Sequence, residues 1–303
     1  MVAPSQLAGV NAPAASSAPL APLAPPLAPP LALLHDRLVP VESVGLGPDN
    51  RGFRYNDGFF ETIVFVDGQP RWWKYHADRI RRGAAALRLT LPDTFFEHLH
   101  TWLGQLVAAN GLSRGAARVR WQCWREGRGL YAPQTTAATW LATADPLTLV
   151  PPTAPAGRAR LAESMQTSPS VLSSFKGPNA PLYTLAALEM EARGADELVL
   201  LSPRGFVAEA TSSALIWLQG NTLYFPDAEA TGAVAGVRLA ALVTQATTAG
   251  WRTKAVTNRP NYLDLADAVA TVSVTGIRWL GAVEDRTFSA NPIQQAFNAL
   301  LGA

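Results

Sequence analysis

Lysine is scarce in this chain, occurring at Lys74, Lys176 and Lys254 alone. Lys176 lies in Ser173-Ser174-Phe175-Lys176-Gly177-Pro178-Asn179, with Val171 and Leu172 upstream and no charged neighbour. A lysine at the end of an apolar strand loses hydration. That lowers its ammonium pKa and frees the amine to attack or condense with a carbonyl. The plain alternative is a lysine whose head snorkels out of an apolar segment. A second group of interest follows at Glu209, a carboxylate within Phe206-Val207-Ala208-Glu209-Ala210-Thr211-Ser212-Ser213. An amine to bond an aldehyde, with an anion to keep a pyridine nitrogen protonated, is the pair that pyridoxal phosphate requires.

The segments between them read as elements that could hold the two groups. Asn179 can cap a helix whose first turn accommodates Pro181. Leu182, Leu185, Ala186 and Met190 recur at helical spacing, and Gly194 ends the run. Glu197 to Leu201 reads as a buried strand. Ser202-Pro203-Arg204-Gly205 reads as a turn.

The run from Lys176 to Ser213 resembles the class IV aminotransferases. This is the pyridoxal phosphate fold type shared by branched-chain and D-amino-acid aminotransferases and aminodeoxychorismate lyases. The likeness extends from about His35 to the last strands. It implies an α/β chain with the two-domain fold type IV, preceded by a disordered Ala/Pro-rich tail over residues 1–33. A small α/β domain would span 34–148, a linker 149–157 and a larger cofactor-binding α/β domain 158–303. By the same resemblance Lys176 carries the cofactor and Glu209 partners its ring nitrogen.

Further residues follow from that likeness. Tyr55-Asn56-Asp57-Gly58-Phe59-Phe60-Glu61-Thr62 is similar to the family's Tyr-Gly-Asp-Gly-Val-Phe-Glu-Thr. Asn replaces the first glycine, and Asn tolerates left-handed backbone. Tyr55 and Phe60 are then substrate-side candidates, and Thr62 takes the place of a threonine used in the lyases that transaminases often carry too. His76-x-x-Arg79 matches a motif whose arginine binds the cofactor phosphate, which suits a permanently charged fork. In the family the loop matching Arg125 to Pro133 approaches the substrate, which implies Arg125, Arg128 and Tyr131 as substrate candidates; a solvated loop fits these residues equally. Gly236, Val237 and Arg238 open a helix where the family places the phosphate on unsatisfied N–H groups. Here the arginine comes one place early, and an asparagine usual after Glu209 is replaced by Ala214. Ser273 and Thr275 can add hydroxyls; an ordinary Thr/Val strand fits that stretch equally.

The remaining chain reads as scaffold. Ile63 to Val66 and Arg71 to Lys74 should pair as strands around an Asp67-Gly68 turn. Tyr75 opens a basic helix. After Pro92 a helix presents Phe95, Phe96, Leu99, Trp102, Leu103, Leu106 and Val107 as a core stripe. Ala116 to Trp124 and Ala137 to Ala144 read as strands. Proline interrupts every apolar run of the first 34 residues, against a signal peptide, a membrane span or a continuous helix. A disordered tail, or an extension from an upstream start codon, is expected there.

Composition sets the outer limits. The 303 residues are 48% hydrophobic and 16% charged, with net charge +2. That fits a globular chain and gives no basic surplus for nucleic acid or an anionic membrane. One cysteine, Cys123, excludes an internal disulfide framework, and the four histidines form no metal-ligand spacing. The resemblance implies a cytoplasmic homodimer of amino-acid metabolism acting on a small molecule. Transamination between an amino acid, possibly branched-chain, and a 2-oxo acid is the first reading. An aminodeoxychorismate lyase is the second, and a non-catalytic cofactor-binding protein the third.

Overall fold

A computed structural model of the chain describes residues 29–149, 151 and 157–300. In chain order the first sheet takes β1 (Leu31–Leu34), β2 (Arg37–Pro40), β3 (Gly58–Val66), β4 (Gln69–Pro70), β5 (Ala116–Arg125) and β6 (Ala138–Pro146). Its spatial order is β2-β1-β6-β5-β3-β4, all antiparallel. Helices α1 (Arg51–Tyr55), α2 (Trp73–Ala86) and α3 (Phe95–Ala109) accompany it. The α3 stripe forms as expected: Phe95, Leu99, Leu103, Leu106 and Val107 are buried against Ile63, Val119 and Trp121. Cys123 is buried in the same core, and burial pushes its thiol pKa far up, as suits an inert side chain.

The second sheet takes β7 (Gly157–Gln166), β8 (Glu197–Leu201), β9 (Val207–Ala210), β10 (Ala214–Gln219), β11 (Thr222–Pro226), β12 (Arg252–Val256), β13 (Ala268–Ser273), β14 (Gly276–Val283) and β15 (Arg286–Thr287). The main path runs β12-β11-β10-β13-β14-β7-β8-β9, with β15 beside β14. Helices α4 (Ala180–Ala192), α5 (Ala228–Thr231), α6 (Val237–Thr248) and α7 (Pro292–Leu300) belong to this half. Leu242 and Ala246 of α6, with Phe297 of α7, close its core over Ile216, Leu218 and Val272. Among the described residues no helix is long and apolar enough to cross a membrane.

Several local expectations are corrected. The tail was expected to run through residue 33, yet Leu31–Leu34 form β1. Ala32 and Leu33 are fully buried, and Leu31 N–H donates to Asn110 Oδ1 at 2.9 Å. The hairpin with β2 gives this short apolar segment a place to bury. Residues 1–28 and most of the expected linker lie outside the described residues. The strand expected over Arg71 to Lys74 shrinks to Gln69–Pro70, because Trp72 turns left-handed and Trp73 already begins α2. Asp67 and Gly68 make the turn, both with positive φ. Lys176 does not end a strand. It follows a turn and forms an isolated antiparallel bridge with Phe60, whose N–H donates to the Lys176 carbonyl at 2.9 Å. Asn179 precedes α4 without a side-chain cap. Of the helix's expected apolar face only Ala186 is buried, and Leu185 is exposed.

Because β1 fills the core edge, Leu33→Ala should lower unfolding free energy by about 2–5 kcal/mol, the usual range for such a truncation. Denaturant melts of the two proteins measure this. A change below about 0.5 kcal/mol would mean that β1 is not part of the cooperative core.

Candidate active site

The site begins with strand alternation. On β3, Phe59, Glu61, Ile63 and Phe65 point into the first core, while Phe60 and Thr62 face the other way. On β5, Ala117, Val119, Trp121 and Cys123 take the core side, which leaves Arg120 opposite Thr62 in register. A carboxylate at a core position must find partners. Glu61 finds two, both on α2. Arg79 Nε and Nη2 donate to its two oxygens at 2.6 and 2.7 Å, and His76 Nδ1 lies 2.7 Å away. All three side chains are 2% exposed or less. Burial would raise the Glu61 pKa, but the Arg79 charge and the His76 and Arg79 hydrogen bonds outweigh it and bring it to about 2. Burial lowers the His76 pKa against the pull of Glu61, so the imidazole is neutral. Its Nδ1 carries the proton, since a carboxylate only accepts, and its buried Nε2 has no partner among the described residues.

Arg79 Nη1 reaches further and donates to the Ala235 carbonyl at 3.2 Å. That residue precedes α6, whose N-terminus at Gly236 has no side-chain cap. The first N–H groups of α6 are therefore open to an anion.

The turn carrying Lys176 is pinned from the first sheet. Asn56, left-handed at φ 51 as its side chain permits, donates through Nδ2 to the Gly177 carbonyl at 2.8 Å. Gly177 has φ +143, and a Cβ there would come within 2.8 Å of Phe59 Cα. Glycine is required for this close approach to β3.

These elements enclose a cavity of about 330 Å³ with walls from both sheets. Of the residues named from sequence, it brings together Lys176, Glu209, Arg79, Thr62, Phe60, Gly236, Val237, Arg238 and Ser273. Lys176 keeps some accessible surface while lying deep among protein atoms, as a cavity-lining side chain does. Burial, then Arg79, lower its ammonium pKa from 10.5 to about 8, against the opposing pull of Glu61 and Glu209. Burial raises Glu209 to about 7, although Tyr183 Oη donates to its Oε1 at 2.7 Å and Val234 N–H lies 3.2 Å from each oxygen. Arg238 is buried and differently engaged from the family pattern. Its Nη1 donates to Gln245 Oε1 at 2.8 Å and its guanidinium lies 4.7 Å from the Trp72 ring centre. Thr275 is behind the wall, with its hydroxyl 2.7 Å from Ser273 Oγ.

Four substrate-side candidates are placed elsewhere. Arg125 is held by Asp57 at 3.0 Å and donates to the Leu87 and Arg88 carbonyls, so its fork is already committed. Arg128 is a largely exposed surface residue 3.7 Å from Asp49. Tyr55 and Tyr131 pack on each other at 5.5 Å, with Tyr131 88% exposed. None of the four lines the cavity in this chain.

Sequence reasoning overlooked three cavity groups. Arg120 stacks on Phe60, its guanidinium 3.1 Å from the ring centre, and has no carboxylate partner among the described residues. Burial, then Arg118, lower its pKa to about 10. Tyr183 reaches in from α4, and Thr211 presents a buried hydroxyl with no partner among the described residues. The alternation of β5 was the available signal for Arg120. The others depend on how separate elements meet.

Three comparisons bear on this arrangement. The family model described as amino-transferase class IV matches residues 58–279, well over half of the chain. Among curated proteins, the D-alanine aminotransferase of Listeria innocua is 31% identical over 83 residues. That match covers 27% of this chain and only 28% of that protein's own length. The aminodeoxychorismate lyase of Bacillus subtilis is 25% identical over 207 residues, 67% of this chain and 69% of that protein. Among solved structures, the branched-chain aminotransferase of Thermoproteus uzoniensis superposes with a TM-score of 0.80 at 22% identity. It covers 90% of this chain and 95% of its own. At that identity the likeness speaks to the fold.

The Glu61 cluster makes a prediction. Glu61→Ala leaves the Arg79 charge buried and unpaired, and should cost about 3–5 kcal/mol of stability. The pH dependence has a definite sign. Glu61 is depressed from 4.5 to about 2 in the folded state. Its contribution is complete above 4.5 and is lost as pH falls through 2. Urea melts of wild type and Glu61→Gln over that acid range should converge. Parallel pH profiles would contradict the pairing.

Proposed function

From the premise that this chain belongs to the class IV aminotransferase family, we propose that it is a pyridoxal phosphate enzyme that moves an amino group between an amino acid and a 2-oxo acid. The observation that carries this reading is the cavity pairing of a half-buried lysine poised near pH 8 with a buried carboxylate, under a basic wall. The residues fit the cofactor. Lys176 would hold it, Glu209 would face its ring nitrogen, and Arg79 with the open N–H groups of Val237 and Arg238 would take its phosphate. Arg79 would act there mainly as a point donor, because Glu61 already occupies the Nε and Nη2 edge of its fork. The Thr211 hydroxyl, unpartnered among the described residues, adds hydrogen-bonding capacity with Ser273 in the same wall.

When bound, pyridoxal phosphate supplies an electron sink for charge developing at the substrate Cα. The chain's own groups do the rest. Lys176, neutral in a useful fraction near pH 8, can take a proton from Cα and return one. Glu209 supplies negative charge to a ring nitrogen. Arg120, free of any carboxylate among the described residues, suits a substrate carboxylate across the cavity. The reading takes the two sheets as two domains with the cofactor between them. It also takes the chain as a cytoplasmic homodimer, which sedimentation velocity can test.

A lyase acting on aminodeoxychorismate is the second reading. The placement of Thr62 in the cavity wall favours it, since a hydroxyl there can deliver or accept a proton at the substrate.

Two experiments decide. Borohydride reduction of the protein loaded with pyridoxal phosphate should leave a pyridoxyl group on Lys176 by peptide mapping; a label on Lys74 or Lys254 would refute the assignment. Purified enzyme should then turn over branched-chain or D-amino acids with 2-oxoglutarate. Release of 4-aminobenzoate from aminodeoxychorismate, with no transamination, would replace the first reading by the second.

A further inference from the structure

Tyr183 is placed by the start of α4, four residues into a helix that begins directly after the Lys176 turn. From there its hydroxyl crosses to β9 and donates to Glu209 Oε1 at 2.7 Å. The Val234 N–H is shared between the two Glu209 oxygens at 3.2 Å each. Oε1 therefore takes the short hydroxyl contact while Oε2 keeps the larger unmet acceptor capacity. Glu209 is buried, at 4% exposed.

The groups around Glu209 come from four directions. Tyr183 approaches from α4, Lys176 from the preceding turn, Arg79 from α2 and the Val234 amide from the segment before α6. Burial pushes the carboxyl toward its neutral form, and each of these groups opposes it. Lys176 helps only while it is charged, and it is itself close to losing its proton. Arg79 is already committed to Glu61. The Tyr183 hydrogen bond is thus a side-chain contribution to the ionised form that does not depend on the state of Lys176. A phenol in this setting keeps its proton, because burial and then the Glu209 charge raise its pKa well beyond the ordinary range.

We propose that Tyr183 is a positioning residue: it occupies one oxygen of Glu209, favours the ionised form of that carboxylate, and leaves the other oxygen to meet the ligand's ring nitrogen. The first two parts concern the protein alone. The last rests on the reading of Glu209 given under Proposed function.

The test separates those parts. Protein without cofactor, carrying 13C-carboxyl glutamate, is titrated by NMR, with Glu209→Gln assigning the resonance. Tyr183→Phe removes one hydroxyl, and unchanged circular dichroism and melting confirm that the fold persists. Losing a hydrogen bond to the charged form should raise the Glu209 midpoint by about one pH unit, a tenfold shift in the protonation equilibrium. An unmoved or lowered midpoint would overturn the proposal. In the enzyme loaded with pyridoxal phosphate, the acid limb of kcat should move in the same direction while KM changes less than twofold. A shifted midpoint with an unshifted acid limb would leave the Tyr183–Glu209 pairing standing and overturn the role of Glu209 toward the ring nitrogen.

Discussion

The buried ion pair between Arg79 and Glu61 is the constraint on which the site depends. Two unit charges at 2% exposure or less are costly unless each meets the other with good geometry, and here the fork is closed at 2.6 and 2.7 Å. The pair fixes α2 against β3. Through the Arg79 contact to the Ala235 carbonyl it also fixes α2 against the entrance to α6. One interaction thereby sets the spacing of three walls of the cavity. His76 completes it as a neutral donor, at the expense of a buried ring nitrogen without a partner among the described residues.

The same pair sets the charge seen by Lys176. Arg79 alone would add strongly to desolvation in pushing the amine toward neutrality. Glu61 returns part of that, and Glu209 a smaller part. The outcome is a lysine near pH 8 and a carboxyl near pH 7 in one enclosed space. Burial drives both toward their uncharged forms, and each one's charge stabilises the other's. A site balanced in this way changes its protonation with small perturbations, which suits groups that hand protons to a substrate.

Much of this was legible in the sequence, and what was not has physical reasons. The α3 stripe, the Asp67-Gly68 turn and the left-handed Asn56 follow from local rules, because periodicity and backbone preference act within a few residues. Lys176, Glu209 and Arg79 stood out through isolation, surroundings and motif, and the fold brings them to one cavity. Glu61 could have been suspected, since a carboxylate on the core face of a strand requires a buried cation. Arg125 misled because it reads as the start of a loop, whereas it ends β5 and its fork is engaged by Asp57, 68 residues away in sequence. Tyr183 was invisible for the complementary reason: its hydroxyl acts across the junction of α4 and β9, a contact that no spacing along the chain encodes. The start of β1 was misjudged because an apolar tetrapeptide acquires a strand only when β2 and β6 offer edges to it.

This enclosure brings the titration of one lysine, Lys176, down to about pH 8. The direct measurement is the pH dependence of the rate at which the Lys176 amine of the cofactor-free protein is acylated by a small reagent, followed by quantitative peptide mass spectrometry, with Lys74 and Lys254 as internal references. Lys176 should titrate with a midpoint near 8. A midpoint at the ordinary lysine value of about 10.4, indistinguishable from the two reference lysines, would contradict the account.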